Sequence, residues 1–355
     1  MNRWMHYLMS GILLSIGYMQ SGLAVEDVRV GGFLRAAGTA SDTEAEYMER
    51  IDNRGNFGDT HFGITMSAEI DERWSVAGQL FGSGAEDNYA LVIDWAYATF
   101  RAYEEVSVNM GKMKYPNLIV SEYYDIGITY PWIRPPEELY RFEVLGPSLS
   151  YEAFSGAKLN YENAFGDFEF VISAYGGSAS LENETMRNMG GVVLSTGTEL
   201  FKLRAAHNVS RLELGMFSER ESEMHNRKQS VTSYGANFDV ANIVGYYEYA
   251  KGEVEGLDEV TTEASYFTLG YRVGKFMPHV TVAEFEADNK LGQESIAYGL
   301  KYQVNPSSTF KIELKVIEPT EREDSEPDEN PAGHFSEVPD DKEVSIISIA
   351  YDVVF

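Results

Sequence analysis

The sequence predicts an all-β fold: a transmembrane antiparallel β-barrel of sixteen strands with one long loop folded into its lumen. Three observations carry this. Apolar residues alternate with small or polar ones, strand after strand, at the two-residue period of a sheet with unlike faces. Connections alternate between very short turns and longer polar loops. One stretch, from Met113 to Glu143, keeps neither the alternation nor the cadence.

The chain has 355 residues with 23 Tyr, 19 Phe, 32 Gly and no Cys. That mix suits strands and turns, and the missing thiols exclude cysteine catalysis, disulfides and cysteine-ligated zinc. A formal net charge of −28 without a Lys/Arg cluster argues against a nucleic-acid partner. Much of the acidic excess lies between Glu318 and Glu343, read as an extracellular acidic loop that is either solvated or bridges cations to lipopolysaccharide.

At the start, Arg3 precedes an apolar run from Tyr7 to Met19, and small residues lead to Ala24. Residues 1–24 are therefore expected to be a signal peptide, and residues 25–355 the barrel. No later run reaches the roughly eighteen apolar residues of a membrane helix.

The expected strands follow in order. Val28 to Ala36 sets Val28, Val30 and Leu34 against Arg29 and Arg35. His61 to Asp71 is the clearest alternation, with Phe62, Ile64, Met66, Ala68 and Ile70 on one side. Trp74 to Phe81 comes next. Tyr89 to Arg101 follows, with Ile93, Trp95 and Tyr97 expected on the lipid face and Asp94 on the other. Val106 to Lys112 leads into the irregular stretch. Beyond it come Ser155 to Glu162, Phe168 to Tyr175, Gly191 to Ser195, Leu200 to Asn208, Val231 to Phe238, Ile243 to Ala250, Ala264 to Arg272, Phe276 to Phe285, Ser295 to Val304, Phe310 to Ile317 and Val344 to Phe355. Every short turn then falls at one end of the barrel and every long loop at the other, the asymmetry of outer-membrane barrels.

The polar faces mix small residues with both signs of charge, which a hydrated lumen tolerates, while closure satisfies the strand edges that lipid could not. Tyrosines near strand ends, such as Tyr97, Tyr175, Tyr247 and Tyr351, are candidates for interfacial girdles.

The irregular stretch is the functional candidate. Pro131, Pro135 and Pro136 forbid a central strand or a regular helix. Its many apolar and aromatic residues, Trp132 among them, would be costly to leave in water. Folded into the lumen, it would set Glu122, Asp125, Arg134, Glu137, Glu138 and Arg141 opposite wall residues Arg29, Arg35, Lys202, Arg204, Lys301, Lys311 and Lys315. A transverse field across a narrow water path is the expectation.

No constellation demands chemistry. His207, Asn208 and Ser210 are close in sequence, but nothing around them singles them out, and neither a metal site nor a cofactor site is expected.

The terminal strand Val344-Ser-Ile-Ile-Ser-Ile-Ala-Tyr-Asp-Val-Val-Phe355 alternates and ends on an aromatic residue. With the strand count and the position of the long loop after the fifth strand, the mature chain resembles the sixteen-stranded, trimer-forming porins of Gram-negative outer membranes. The Pro-Glu-Phe-Gly-Gly sequence of enterobacterial constriction loops is absent, and Tyr130 to Tyr140 stands in its place. The resemblance implies a water-filled channel for small hydrophilic solutes and ions in the outer membrane. It also implies a homotrimer among lipid and lipopolysaccharide, with Phe355 as the signal read by the barrel assembly machinery. The alternatives are a porin with a specific solute site at the constriction, or a non-conducting barrel serving as adhesin or anchor.

Overall fold

The structure is a computed structural model that describes residues 26–85, 89–141, 153–180, 184–214, 225–256, 261–287, 291–320 and 333–355. The expected signal peptide lies outside these residues.

Sixteen strands close into one antiparallel barrel, each beside its sequence neighbours, with the last sealed to the first. They are β1 Glu26–Ser41, β2 His61–Glu69, β3 Trp74–Ser83, β4 Val92–Arg101, β5 Val106–Lys114, β6 Ala153–Phe165, β7 Phe168–Ser180 and β8 Glu184–Gly197. The second half comprises β9 Phe201–Leu214, β10 Lys228–Val240, β11 Ile243–Val254, β12 Thr261–Tyr271, β13 Phe276–Ala287, β14 Leu291–Asn305, β15 Ser308–Thr320 and β16 Val344–Val354.

Seven short turns lie at one end, but the expected split between the ends is incomplete, since at the other end only three residues separate β7 from β8 and β13 from β14. Gly166 and Asp167 join β6 to β7, and Ala241 and Asn242, both with positive φ, join β10 to β11. Two successive left-handed residues give the turn whose twist matches a hairpin.

The outward face is apolar. Val30 is 64% exposed, Met66 52% and Ile347 52%, and such residues recur around the whole circumference. In water this surface would be untenable, whereas lipid welcomes it and closure leaves no unpaired strand edge, so the barrel spans a membrane.

The seam pairs Ala37 with Ala350, and the terminal residue extends it: Gly32 N–H donates to the Phe355 carbonyl at 2.9 Å and Phe355 N–H to Gly32 at 3.0 Å. A side chain at Gly32 would collide with the Phe355 ring, so the glycine makes room for the aromatic terminus.

One strand departs from the expected phase. Pairing shifts between Gln79 and Leu80, so that Gln79 faces Trp95 but Leu80 faces Ile93, and Asp94 is the extra residue of a bulge. Ile93 therefore points to lipid at 58% exposure, while Trp95 and Tyr97 turn to the lumen with buried Asp94. Tyr97 packs on an interior cluster that contains Tyr175, so neither tyrosine belongs to a girdle.

Candidate functional site

The segment Tyr115 to Arg141 runs inside the barrel and packs against its inner wall. β5 continues to Lys114, so the first two residues of the expected loop belong to the strand, and Phe142 and Glu143 lie outside the described residues. Two 3₁₀ turns, Ser121–Tyr123 and Gly127–Thr129, and one turn of helix, α1 Glu137–Tyr140, are its only regular structure. Pro136 precedes α1, where a missing N–H costs nothing.

Apolar contact fixes the segment first. Leu118, Val120, Tyr130, Trp132, Leu139 and Tyr140 form a buried cluster with wall residues of β10 to β13, such as Val231, Tyr266 and Phe285. Trp132 is almost wholly enclosed, and its indole N–H donates to Thr268 and Thr281, each at 2.9 Å. At the other end Tyr115 packs with Phe154 and Tyr175.

An irregular backbone leaves carbonyls without partners, and buried ones must find donors. The wall's cations supply them. Lys311 donates to the carbonyls of Gly127 at 2.6 Å and Trp132 at 2.5 Å. Lys301 reaches Ile128 at 2.6 Å, Arg204 reaches Pro116 at 2.6 Å, and Arg35 reaches Ile133. Arg35 is also paired with Asp352 of β16 at 2.6 Å. Gly127 sits so close to this pair that any side chain there would overlap both.

The loop's carboxylates are likewise met directly. Lys315 lies 2.5 Å from Glu137 and 2.9 Å from Glu138, and Gln293 and Ser295 also donate to Glu138. Arg134 pairs with Glu137 at 2.6 Å and with Asp59 of the β1–β2 loop at 2.7 Å, and donates to Ser348. Asp125 takes Lys114 at 2.9 Å. Burial by itself would push Glu137 up, but Lys315 and Arg134 outweigh it and hold its carboxyl at about 2. The same balance, burial against Lys114, keeps Asp125 below the usual carboxylate range.

This arrangement corrects the expected transverse field in two ways. Arg29 and Lys202 take no part: both lie near the short-turn end, exposed, beside Asp27 and Glu69, and Glu169, respectively. Arg35, Lys301, Lys311 and Lys315 touch the loop instead of facing it across water, because an irregular buried segment draws donors to its carbonyls and carboxylates. Among the loop's charges Asp125, Arg134, Glu137 and Glu138 are buried. Glu122 and Arg141 are less enclosed, and Glu122 reaches Lys158 at 2.8 Å and Arg204 at 3.6 Å.

Several anchoring residues had no sequence signal. Tyr47 and Asp59 lie between the first two expected strands in a stretch rich in Asp, Glu, Gly and Asn, yet Tyr47 is fully buried beside Lys315 and Gln293. Glu248, by contrast, is one of the charges that alternation sets on the polar face, and it accepts from Tyr140 at 2.5 Å, Tyr266 at 2.8 Å and the Ile119 N–H at 2.6 Å. Asp352 could have been found, since alternation in the last strand turns it inward. The stretch from Glu318 to Glu343 is not wholly a loop: Glu318 ends in β15, residues 321–332 lie outside the described residues, and Phe335 is buried against Tyr47. Alternation also separates His207, exposed and bonded to Thr232, from Ser210, buried on the opposite face.

A chamber of about 450 Å³ remains between this segment, the β1–β2 loop and the wall from β1 to β7. Arg50, Asp59, His61, Phe81, Tyr124 and Arg141 are among the residues around it.

No protein-family model matches the sequence, and no curated protein is similar to it. Solved structures are. An anion-selective porin from Comamonas acidovorans superposes with a TM-score of 0.63 at 10% identity, covering 93% of this chain and 99% of that one. OmpF of Salmonella typhi, solved with daunomycin, gives 0.62 at 14% identity over 92% and 97%. OmpT of Vibrio cholerae, an outer-membrane protein, gives 0.60 at 11% identity over 94% and 100%. The chain has the fold of the sixteen-stranded outer-membrane porins.

Proposed function

We propose that the protein is an outer-membrane porin: a water-filled channel for the passive diffusion of small hydrophilic solutes and ions, narrowed by Tyr115 to Arg141. The observation that carries this reading is the fastened segment itself. It crosses the lumen, is tied to the wall by apolar contact, ion pairs and carbonyl capping, and leaves a chamber beside it. A barrel serving only as an anchor needs no such device, and the fold it shares with known porins agrees. Purified protein in planar bilayers should give discrete conductance steps. Protein that inserts yet leaves the bilayer silent would favour the adhesin or anchor reading.

Two further elements belong to the proposal. Phe355, closing the seam against Gly32, serves as the assembly signal read by the barrel assembly machinery. The protein works as a homotrimer among lipid and lipopolysaccharide. A trimer form of OmpT from Vibrio cholerae, at 12% identity, supports that assembly for this fold.

A further inference from the structure

Two connections at the long-loop end turn inward and grip each other. The β1–β2 loop sets Tyr47 opposite Phe335, ahead of β16, in an antiparallel bridge. Met48 N–H donates to the His334 carbonyl and Ser336 N–H to the Glu46 carbonyl, each at 2.9 Å. The Tyr47 and Phe335 rings lie 5.0 Å apart and share a buried cluster with Ala45, Ile51, Ile317 and Val344. Gly333, at a φ of +60°, turns the chain so that His334 N–H reaches Gln293 Oε1 at 3.1 Å.

Beneath this grip lies the fastening of the constriction. The Tyr47 hydroxyl accepts from Gln293 at 3.1 Å and from Lys315 at 3.3 Å. The same two donors hold α1: Gln293 Nε2 also reaches Glu138 at 2.6 Å, and Lys315 serves both Glu137 and Glu138. Gln293 thus meets the grip with its oxygen and α1 with its nitrogen. At the far end of the same loop Asp59 holds Arg134 at 2.7 Å. The cluster around Phe335 contains no residue of the constricting segment, so Phe335 bears on that segment through Tyr47 and the residues Tyr47 touches. The wall closes without any of these contacts, and a small unit outside the ladder opens locally at less cost than the barrel unfolds.

We propose that the two connections form a clasp in which Tyr47 is a positioning residue: closed, it keeps Lys315 and Gln293 on Glu137 and Glu138, and open, it lets α1 leave the wall so that the channel widens. Surface loops thereby control a constricting segment that lies below them. The inference rests on the channel reading and adds a gate to it.

The test is single-channel recording of the full mature protein in planar bilayers, reading how often a wider level is visited. Phe335→Ala should raise that frequency on the order of a hundredfold through loss of a buried ring. Tyr47→Phe should raise it about fivefold through loss of its hydrogen bonds. Tyr47→Ala combined with Lys315→Met should flicker far less than the product of the two single effects, because the phenol acts through that amine, whereas a role confined to packing would let the effects multiply. The chain has no Cys, so Glu46→Cys with Ser336→Cys, flanking the bridge, gives a closure that redox alone controls. Added to Phe335→Ala, this pair should flicker when reduced and return to wild-type quiet when oxidised. Heat-modifiable migration on gels reports that each variant is folded, and peptide mass reports the cross-link. A pair that does not cross-link, a Phe335→Ala channel as quiet as the wild type, a flicker that oxidation leaves unaltered, or single effects that multiply would overturn the clasp and leave the channel intact. A wild type that inserts without conducting would overturn both.

Discussion

Removing the cation that fastens the loop's C-terminal half should convert a quiet pore into a flickering one. Lys315 serves two buried carboxylates at once, Glu137 at 2.5 Å and Glu138 at 2.9 Å. Lys315→Met keeps the length of the side chain and deletes the charge. Taking one partner from a buried ion pair costs about 3–5 kcal/mol, because the other charge stays in a poor solvent. The cost here lies near the lower figure, since Glu137 retains Arg134 and Glu138 retains Gln293 and Ser295. About 3 kcal/mol is a change of roughly a hundredfold in the ratio of docked to undocked loop. Single-channel records of the variant should show frequent transitions to a wider level that are rare in the wild type. The pH dependence has a definite sign. In the wild type the folded carboxyl of Glu137 is depressed to about 2, so its contribution is full above its ordinary range near 4.5 and fades only as pH falls toward 2. In the variant Glu138, left without a cation, takes up a proton at higher pH, so acidification to about pH 4.5 should quieten the flicker while the wild type stays unchanged. A variant as quiet as the wild type at pH 7 would show that these ion pairs do not hold the loop.

Three further pairs of substitutions test separate parts of the account. Trp132→Phe removes an N–H but leaves Thr268 and Thr281 bonded to each other at 2.8 Å, so it should cost about 1 kcal/mol, whereas Trp132→Ala should cost about 3–5 kcal/mol, read from urea midpoints in detergent. Glu122→Gln should shift ion selectivity toward anions with the fold intact, while Asp125→Asn, which strips buried Lys114 of a partner, should chiefly lower the unfolding temperature. Phe355→Asp should reduce the amount of folded protein in the outer membrane far more than Phe57→Asp, although the two rings are exposed to nearly the same extent at 73% and 74%; equal amounts of both variants on quantitative blots would remove the special role of the terminus.

The strand order was legible because alternation and turn chemistry are local. A hairpin turn such as Gly166-Asp167 announces itself, and even the weakly patterned Gly191 to Ser195 marked β8, which extends over Glu184–Gly197. The lumenal placement of the irregular segment was legible too, since Trp132 and the prolines left it no other economical home. The bulge at Asp94 was not: one inserted residue reverses the facing of its neighbours, and alternation read without a partner strand cannot detect the slip. Nor were the pairings of the site. Charges spaced along separate strands suggest a field, but which of them touch depends on register and on the path of the loop. Arg35 and Lys311 are drawn to carbonyls that only the folded segment presents. Asp59 and Tyr47 were hidden in a polar connection because a loop that turns inward carries no period to betray it.

The central claim is that Tyr115 to Arg141 sits fixed in the lumen and sets the width of the water path. Deleting Tyr130 to Leu139 removes Trp132, α1 and the ion pairs with Lys315 while leaving all sixteen strands in place. Single-channel conductance of this variant in planar bilayers should rise well above that of the wild type, with selectivity weakened as the opening widens. Conductance equal to the wild type's would put the narrowest point elsewhere and contradict the account.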